Sequence, residues 1–386
     1  MKPWACGVAL VGMAVCSCLP GSSPDGIDVL QVESNDIRAV TSEVRFVSVR
    51  DMVLDSGSVW VLDGAPLFLS RVSLGDGGSV QFGGEGQGPG ELLNPWAIQP
   101  HSGPGGAGIR VWDLGTNRVS LFDTLGGLQT SESLSDEGMI RARSDIRNVS
   151  YADPFRVRSE GNTTVVGDFP RRVDRTGDIA AGSLRRADHR LSPGPPLVRF
   201  SDHIEGGVPS QQEWAGVPLW DLCDEAVALW SPSSAQVVWM DLDGTEVGWT
   251  PVDGASAEID LGDIEAYLRW MGRLELGPDH DAAGIDYARV ARASRDRFAQ
   301  RHPGPVDVRC EALGVSWLRL FDTSVDPLGR GQTWWRVSDK EDPRRYRFPE
   351  GFTPVVFAGE GAYGVLEVAE GYQLLAWWNG RTIQSE

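Results

Sequence analysis

The sequence is poor in basic residues and in histidine, and it lacks the short motifs that mark the common catalytic sites. Its 35 Lys and Arg residues are outnumbered by 54 Asp and Glu, so the formal net charge is −19. Because nucleic-acid partners select Lys/Arg-rich faces, this balance argues against nucleic-acid binding. No G-x-S-x-G, H-E-x-x-H or C-x-x-C motif occurs, so no signature of a serine hydrolase, a zinc protease, a zinc ribbon or a thioredoxin-type site is present.

Long hydrophobic runs are also missing, and the N-terminus carries only a short one. Lys2 supplies a positive start, and the apolar stretch Val8 to Val15 is too short to span a bilayer. The letters V-C-S-C (Val15 to Cys18) resemble the lipobox of bacterial lipoproteins, in which a small residue, here Ser17, precedes a lipidated cysteine. An ordinary secretory signal that is cleaved nearby is the alternative.

The lipobox interpretation divides the start of the chain into two parts. Residues 1–18 are then a lipoprotein signal peptide with Cys18 as the lipid-attachment residue, and residues 19–36 are a flexible tether. The expected product is exported and held at a membrane by its lipid, facing the periplasm or the cell exterior.

Two cysteines, Cys223 and Cys310, remain in the body of the chain. In an oxidising compartment they can pair as a disulfide, and two buried free thiols are the alternative. Their wide separation in sequence leaves the geometry open.

The sequence is rich in glycine (47), proline (24) and tryptophan (15), which suits many short strands joined by tight turns. Residues 109–126 and 227–244 align without a gap, and each contains a strand, a polar turn, a second strand, an Asp and a Gly-containing turn. Hairpins of this kind recur, with varying clarity, at residues 59–78, 109–126, 162–171, 227–244, 315–339 and 363–378.

The spacing of these hairpins is about fifty residues in most cases, which is the size of one four-stranded propeller blade. Six such units predict an all-β fold, a six-bladed β-propeller over residues 37–386. A strand-like segment, Ile37 to Val49, precedes the first unit. We expect it to pair with the last blade, because that closure hides two open sheet edges.

One interval, between the fourth and fifth units, is too long and contains the clearest helical pattern. In Asp260 to Leu274, the apolar residues fall at i, i+3, i+4 and i+7, and Asp260 or Asp263 can cap the helix. A second helix-compatible stretch, Ile285 to His302, carries five arginines on its other faces. The pattern predicts a short helical insertion at about 257–302. Its arginines form either a solvated face or a contact with an anionic partner such as a membrane.

The stretch from Phe82 to Gly126 resembles the NHL-repeat type of β-propeller, and in particular the bacterial six-bladed β-propeller lipoproteins. The glycine-rich part of the NHL pattern is matched by Gly86, Gly88, Gly90, Leu92 and Pro95. The hairpin part is matched by Val111, Asp113, Asn117, Arg118, Val119, Phe122, Asp123 and Gly126. The match covers one unit well, and the other units keep only the hairpin outline. The resemblance implies the fold, whereas related rings include binding modules, calcium-dependent lactonases and a lyase.

The glycine-rich run G-G-E-G-Q-G-P-G-E-L-L-N-P (residues 83–95) invites a phosphate-binding interpretation. It lacks the G-K-[ST] ending of a P-loop, and a proline and a strand follow it instead of a helix. Its position between two hairpins predicts a connection from one blade to the next, in which glycine permits positive φ and close backbone approach.

Candidate chemical groups are scattered and favour structural roles. The histidines are His101, His189, His203, His280 and His302. The D-x-D pairs Asp241/Asp243 and Asp279/Asp281 can ligate Ca²⁺, but no EF-hand loop follows either pair, and we assign no metal ligand. The aspartates that close hairpins (Asp123, Asp241, Asp339) repeat around the ring, so an active site would come from a residue that breaks the repeat.

Two functions fit these observations. The first is a lipid-anchored, monomeric propeller that binds a protein or a small molecule, or acts as a scaffold, without catalysis. The alternative is a metal-dependent hydrolase or lyase, with calcium as its cofactor, that acts in the central channel. A stoichiometric divalent ion at the channel mouth would favour the alternative.

Overall fold

The structure is a computed structural model. It describes residues 29–41, 44–103, 106–135, 156–160, 163–168, 171–173, 178–180, 182–203, 218–223, 225–252, 256–276, 284–302, 304–323, 330–359, 361–368 and 371–380. The predicted signal peptide (1–18) lies outside these residues. No helix in the described part of the chain is long and apolar enough to cross a membrane.

The strands of the described residues form six blades, whose first strand lies innermost. Two short strands precede them, β1 (Val29–Gln31) and β2 (Ile37–Ala39). Blade 1 contains β3 (Val49–Asp55), β4 (Ser58–Asp63), β5 (Leu69–Ser73) and β6 (Ser79–Phe82). Blade 2 contains β7 (Pro95–Gly103), β8 (Gly106–Asp113), β9 (Arg118–Asp123) and β10 (Leu128–Ser133). Blade 3 contains β11 (Arg156–Glu160), β12 (Thr163–Asp168), β15 (Ser183–Ala187) and β16 (Pro193–Arg199), with a side hairpin of β13 (Arg171–Val173) and β14 (Asp178–Ala180).

The second half of the ring is built in the same way. Blade 4 contains β17 (Leu219–Cys223), β18 (Ala226–Ser231), β19 (Gln236–Asp241) and β20 (Glu246–Pro251). An insertion follows, with β21 (Ala257–Glu258), α1 (Leu261–Leu276), α2 (Tyr287–Ser294) and β22 (Arg301–His302). Blade 5 contains β23 (Asp307–Ala312), β24 (Val315–Phe321), β25 (Arg330–Ser338) and β26 (Arg344–Arg347). Blade 6 contains β27 (Phe352–Ala358), β28 (Gly361–Glu367) and β29 (Gln373–Asn379).

The innermost strands contact one another in ring order, from β3 through β7, β11, β17 and β23 to β27 and back to β3. This closed circuit confirms the predicted six-bladed β-propeller. Blade 6 receives its outermost strand from the N-terminus, because β2 pairs antiparallel with β29, with Ile37 opposite Trp378. The predicted closure is therefore confirmed for residues 37–39, whereas Val49 already begins the inner strand of blade 1.

The sequence predicts a flexible tether over residues 19–36, but the structure already shows a paired strand at residues 29–31. Strand β1 pairs in parallel with β26, the outer strand of blade 5, and places Val29 opposite Arg345. Val32, directly after it, is 5% exposed and packs in the core between blades 5 and 6, with Leu30 against the same cluster. Burial of these apolar side chains orders the segment. The pairing joins residues more than three hundred positions apart, so local sequence carries no sign of it.

Tryptophan fills spaces between the blades. Among the described residues, eight tryptophans are almost completely buried: Trp60, Trp112, Trp230, Trp239, Trp317, Trp334, Trp335 and Trp378. Aromatic rings cluster between blades 5 and 6, where the ring of Trp317 stacks on Phe357 at 4.2 Å between centroids. Trp377 is partly buried and lies 4.3 Å from the ring of Tyr363.

The helical insertion lies between blades 4 and 5 and matches the predicted range. Asp260 and Asp263 cap α1 reciprocally, because each side chain accepts a hydrogen bond from the other's backbone N–H, at 2.9 and 2.8 Å. Ile264 of α1 is fully buried and packs with Phe298 and blade-5 residues. The second helix is shorter than predicted and ends at Ser294, because Phe298 turns extended and enters this core.

The glycine-rich run connects β6 of blade 1 to β7 of blade 2, which confirms that it is an inter-blade connection. Its concave backbone is filled by a carboxylate of its own, since Glu91 Oε2 accepts a hydrogen bond of 2.7 Å from the N–H of Gly88. A Cβ at Gly88 would approach that oxygen to 2.8 Å. A side chain at Gly88 would therefore displace the Glu91 carboxylate, whereas at Gly83 and Gly90 the positive φ angles of 78° and 80° favour glycine directly.

Candidate functional site

The residues that the sequence singles out are distributed over the ring. The lipobox cysteine Cys18 and the turn with Asp279, His280 and Asp281 lie outside the described residues. Cys223 and Cys310 lie on the inner strands of blades 4 and 5, with their Cα atoms 5.4 Å apart in a disulfide arrangement.

The repeated aspartates hold the backbone of turns. Asp123 Oδ1 accepts hydrogen bonds from the N–H groups of Leu125 and Gly127, both at 2.8 Å. Asp241 binds Asp243 and Thr245 in the same way, at 3.0 and 2.8 Å. The carboxylate of Asp241 is therefore occupied by its own turn, which supports a structural role for this D-x-D pair.

A second set of aspartates fixes the entry of the chain into blades 1 and 2. Asp113, at the end of β8, accepts hydrogen bonds of 2.8 Å from the N–H groups of Leu93 and Asn94, just before β7. Asp63, at the end of β4, does the same for Val47 and Ser48, just before β3. The Asp of the NHL-like hairpin is therefore a device that anchors the inner strand.

Two histidines are structural. His302 is buried, stacks on Phe321 at 4.4 Å and hydrogen-bonds through Nδ1 to the carbonyl oxygen of Gly304. Burial lowers the pKa of His302 to about 4, so the ring is neutral at neutral pH. Burial also lowers the pKa of His203, whose Nδ1 lies 3.2 Å from Ser231 Oγ.

The other two described histidines each contact a charged residue of blade 2. His101 Nδ1 lies 3.3 Å from the guanidinium of Arg110, on blade 2. His189, in a turn of blade 3, lies 3.3 Å from Glu132 of blade 2. Arg110, Glu132 and His189 line a cavity between these two blades, which their scattered positions in the sequence do not reveal.

The centre of the ring contains a buried charged cluster that sequence reasoning missed. Arg158, on the inner strand of blade 3, donates from Nε to Asp221 Oδ1 of blade 4 at 2.9 Å. Its Nη1 lies 3.4 Å from Asp51 Oδ1 of blade 1. The side chains of Asp51, Arg158 and Asp221 are 6%, 18% and 10% exposed. We call these three residues the central triad.

The second oxygen of each carboxylate satisfies the backbone of a neighbouring blade. Asp51 Oδ2 accepts a hydrogen bond of 3.1 Å from the N–H of Ile98 in blade 2. Asp221 Oδ2 accepts one of 2.9 Å from the N–H of Cys310 in blade 5. Inner strands have an unpaired edge towards the axis, so such N–H groups need a partner. The central triad thus connects blades 1 to 5.

This arrangement does not fit a calcium centre. A Ca²⁺ site needs six to eight oxygen ligands, several of them from carboxylates without other partners. Both triad carboxylates are already bound to a guanidinium and a backbone N–H. Among the residues that the structure describes, no three His, Cys, Asp or Glu side chains are grouped to hold a metal ion.

Comparison with known proteins gives distant likenesses of fold. No protein-family model matches the sequence, and no curated protein matches it. A Bacteroides fragilis protein described as exported is 9% identical and superposes with a TM-score of 0.48, over 90% of this chain and 98% of that one. A DUF4221 member from Bacteroides vulgatus is 10% identical with a TM-score of 0.48, over 88% and 94%. The calcium-binding regucalcin of Agrobacterium tumefaciens is 10% identical with a TM-score of 0.41, over 91% and 96%.

Scores below 0.5 at such low identity transfer no activity to this chain. The six blades and their closed ring define the class of protein, which is a six-bladed β-propeller with a helical insertion.

Proposed function

We propose that this protein is an exported, lipid-anchored β-propeller that binds a ligand or a partner without catalysing a reaction. The observation that carries the proposal is the central triad. In propellers the axial channel is a natural place for a site, and here a guanidinium ties together carboxylates from opposite blades. Polar groups engaged in this way stabilise the ring instead of contacting a substrate.

The metal test separates this proposal from the alternative, a calcium-dependent hydrolase or lyase in the channel. We expect the purified protein to contain no stoichiometric Ca²⁺, Mg²⁺, Mn²⁺ or Zn²⁺ by elemental mass spectrometry. We also expect that adding each ion in millimolar amounts leaves the melting temperature within about 2 °C, because an ion that binds only the native state would raise it. One equivalent of tightly bound metal, or a clear rise with one ion, would overturn the non-enzymatic assignment.

The lipid anchor depends on Cys18, and its test is independent of the metal test. In a bacterial host that processes lipoproteins, we expect the wild-type chain in the membrane fraction with a mass that corresponds to a diacylated Cys18 N-terminus. The Cys18→Ala variant should lose the lipid and leave the membrane fraction. The matched control is Cys16→Ala, which should behave like the wild type, because bulky Val15 precedes Cys16. A wild-type chain cleaved elsewhere and free of lipid would contradict the anchor.

A further inference from the structure

A cavity of about 240 Å³ lies between blades 2 and 3, outside the central channel. Its lining is Arg110, Val119, Leu121, Thr130 and Glu132 from blade 2, with His189 from blade 3. We call it the blade 2–3 cavity. It combines one cation, one carboxylate and two aliphatic side chains.

The walls of the blade 2–3 cavity are fixed by hydrogen bonds between the blades. The turn of blade 3 that carries His189 is held against blade 2, because Trp112 Nε1 donates to the His189 carbonyl oxygen at 2.9 Å. Arg190 Nε donates to the carbonyl oxygen of Ser133 at 2.8 Å. The N–H of Ser135 donates back to Arg190 at 2.9 Å. The cavity therefore exists before any ligand enters, which lowers the entropic cost of binding.

Arg110 is the cationic group of the cavity, and it has no carboxylate in contact among the described residues. Its Nη1 donates to Gln99 Oε1 at 3.1 Å, and its Nη2 to His101 Nδ1 at 3.3 Å. Both partners are neutral, since burial and then the charge of Arg110 lower the pKa of His101. Burial lowers the pKa of Arg110 too, but a guanidinium stays charged at neutral pH. A partly desolvated cation with neutral partners favours an anionic ligand.

Glu132 is the anionic group, and it lies on strand β10, whereas Arg110 lies on β8. Strand β9 runs between them, so the two backbones are roughly 10 Å apart. Leu121 and Val119 of β9 provide an aliphatic floor between the two charges. His189 Nε2 lies 3.3 Å from Glu132 Oε2, and the Glu132 side chain is 49% exposed.

We infer that the blade 2–3 cavity binds a small zwitterion whose carboxylate and amine are separated by a short aliphatic segment. Arg110 receives the carboxylate, Glu132 receives the ammonium group, and Val119 and Leu121 contact the methylene groups. The inference rests on the proposed binding role of the propeller and supplies the chemistry of its ligand.

The test is isothermal titration calorimetry of the full-length protein with 6-aminohexanoate, hexanoate and hexylamine. We expect saturable binding of 6-aminohexanoate with a Kd below about 10 mM, and binding of the two single-charge analogues at least about tenfold weaker. Arg110→Met and Glu132→Gln should each weaken binding of 6-aminohexanoate at least about tenfold, since each removes one charge-assisted hydrogen bond.

The matched control is Arg186→Met in blade 3. The Arg186 side chain does not line the cavity, is 53% exposed, and lies 3.8 Å from Asp243. It should bind 6-aminohexanoate like the wild type. If Arg110→Met does not fold, the exposed Glu132→Gln change still decides the question. Absence of saturable binding, equal affinity for hexanoate, or wild-type affinity in both cavity variants would each overturn the inference. These outcomes leave the metal test untouched, so the two proposals can fail separately.

Discussion

Replacing Arg158 by methionine is expected to lower the free energy of unfolding by about 3–5 kcal/mol, because it leaves two buried carboxylates without their cation. Asp51 and Asp221 are at most 10% exposed and keep only their hydrogen bonds to backbone N–H groups. Methionine retains most of the side-chain volume, so the loss reports on charge and not on a cavity. Urea unfolding followed by tryptophan fluorescence measures it.

Two further variants show whether the effect arises in the central triad. The triple variant Asp51→Asn, Arg158→Met, Asp221→Asn removes all three charges while the amide oxygens can still accept the backbone N–H groups. It should recover most of the lost stability, because no buried charge is then left without a partner. Arg186→Met, at an exposed ion pair, should change stability by less than about 0.5 kcal/mol. A loss below about 1 kcal/mol in Arg158→Met, or no recovery in the triple variant, would contradict the assigned role.

The sequence predicts the ring because the second and third strands of a blade form a local hairpin. In blade 2, β8 and β9 are joined by four residues, so strand, turn and strand stand together in the letters of the sequence. The hairpin outline recurs six times, which gives the number of blades, and a closing Asp marks three of the hairpins (Asp123, Asp241 and Asp339). The innermost strands show a weaker sequence pattern than the hairpins. Their positions depend on contacts between neighbouring blades, which the local sequence does not contain. For this reason, the sequence predicts one closing segment, Ile37 to Val49, where the structure has the closing strand β2 and the first residue of β3.

The central triad could not be predicted, since its members are 63 and 107 positions apart. Asp51 and Asp221 lie in strands whose other residues are largely apolar. From the sequence alone, a single carboxylate in such a strand indicates an exposed position at a turn or at a sheet edge. Arg158 lies in the blade whose hairpin is most degraded. Arg158 breaks the repeat, but nothing in the local sequence pairs this arginine with two distant aspartates.

The two cavity charges show the same limit in a milder form. Arg110 and Glu132 both belong to blade 2, and the register places Arg110 opposite Leu121, which in turn lies opposite Thr130. This alignment can be derived once the hairpins are assigned. The wall supplied by His189 cannot, because it depends on how blade 3 packs against blade 2.

Removing the two body cysteines is the second change with a large expected effect. We propose that Cys223 and Cys310 are oxidised in the exported protein, since their Cα separation of 5.4 Å suits a disulfide. The bond would join the inner strands of blades 4 and 5 across 87 residues, which include the helical insertion. Closing a loop of that length restricts the unfolded chain. The Cys223→Ala, Cys310→Ala variant should therefore be less stable by about 4 kcal/mol.

Reduction of the wild-type protein separates the cross-link from packing. Cys223 is 3% exposed and packs in the core between blades 4 and 5, so alanine also removes buried sulfur. The reduced wild type keeps both sulfur atoms and loses only the bond. We expect its urea midpoint to lie between those of the oxidised wild type and the double variant, and closer to the double variant, because the loop constraint dominates. Peptide mapping should recover Cys223 and Cys310 in one linked fragment. A midpoint that reductant does not change, or two free thiols in the exported protein, would show that the inner strands of blades 4 and 5 hold together by packing and by the Asp221 hydrogen bond alone.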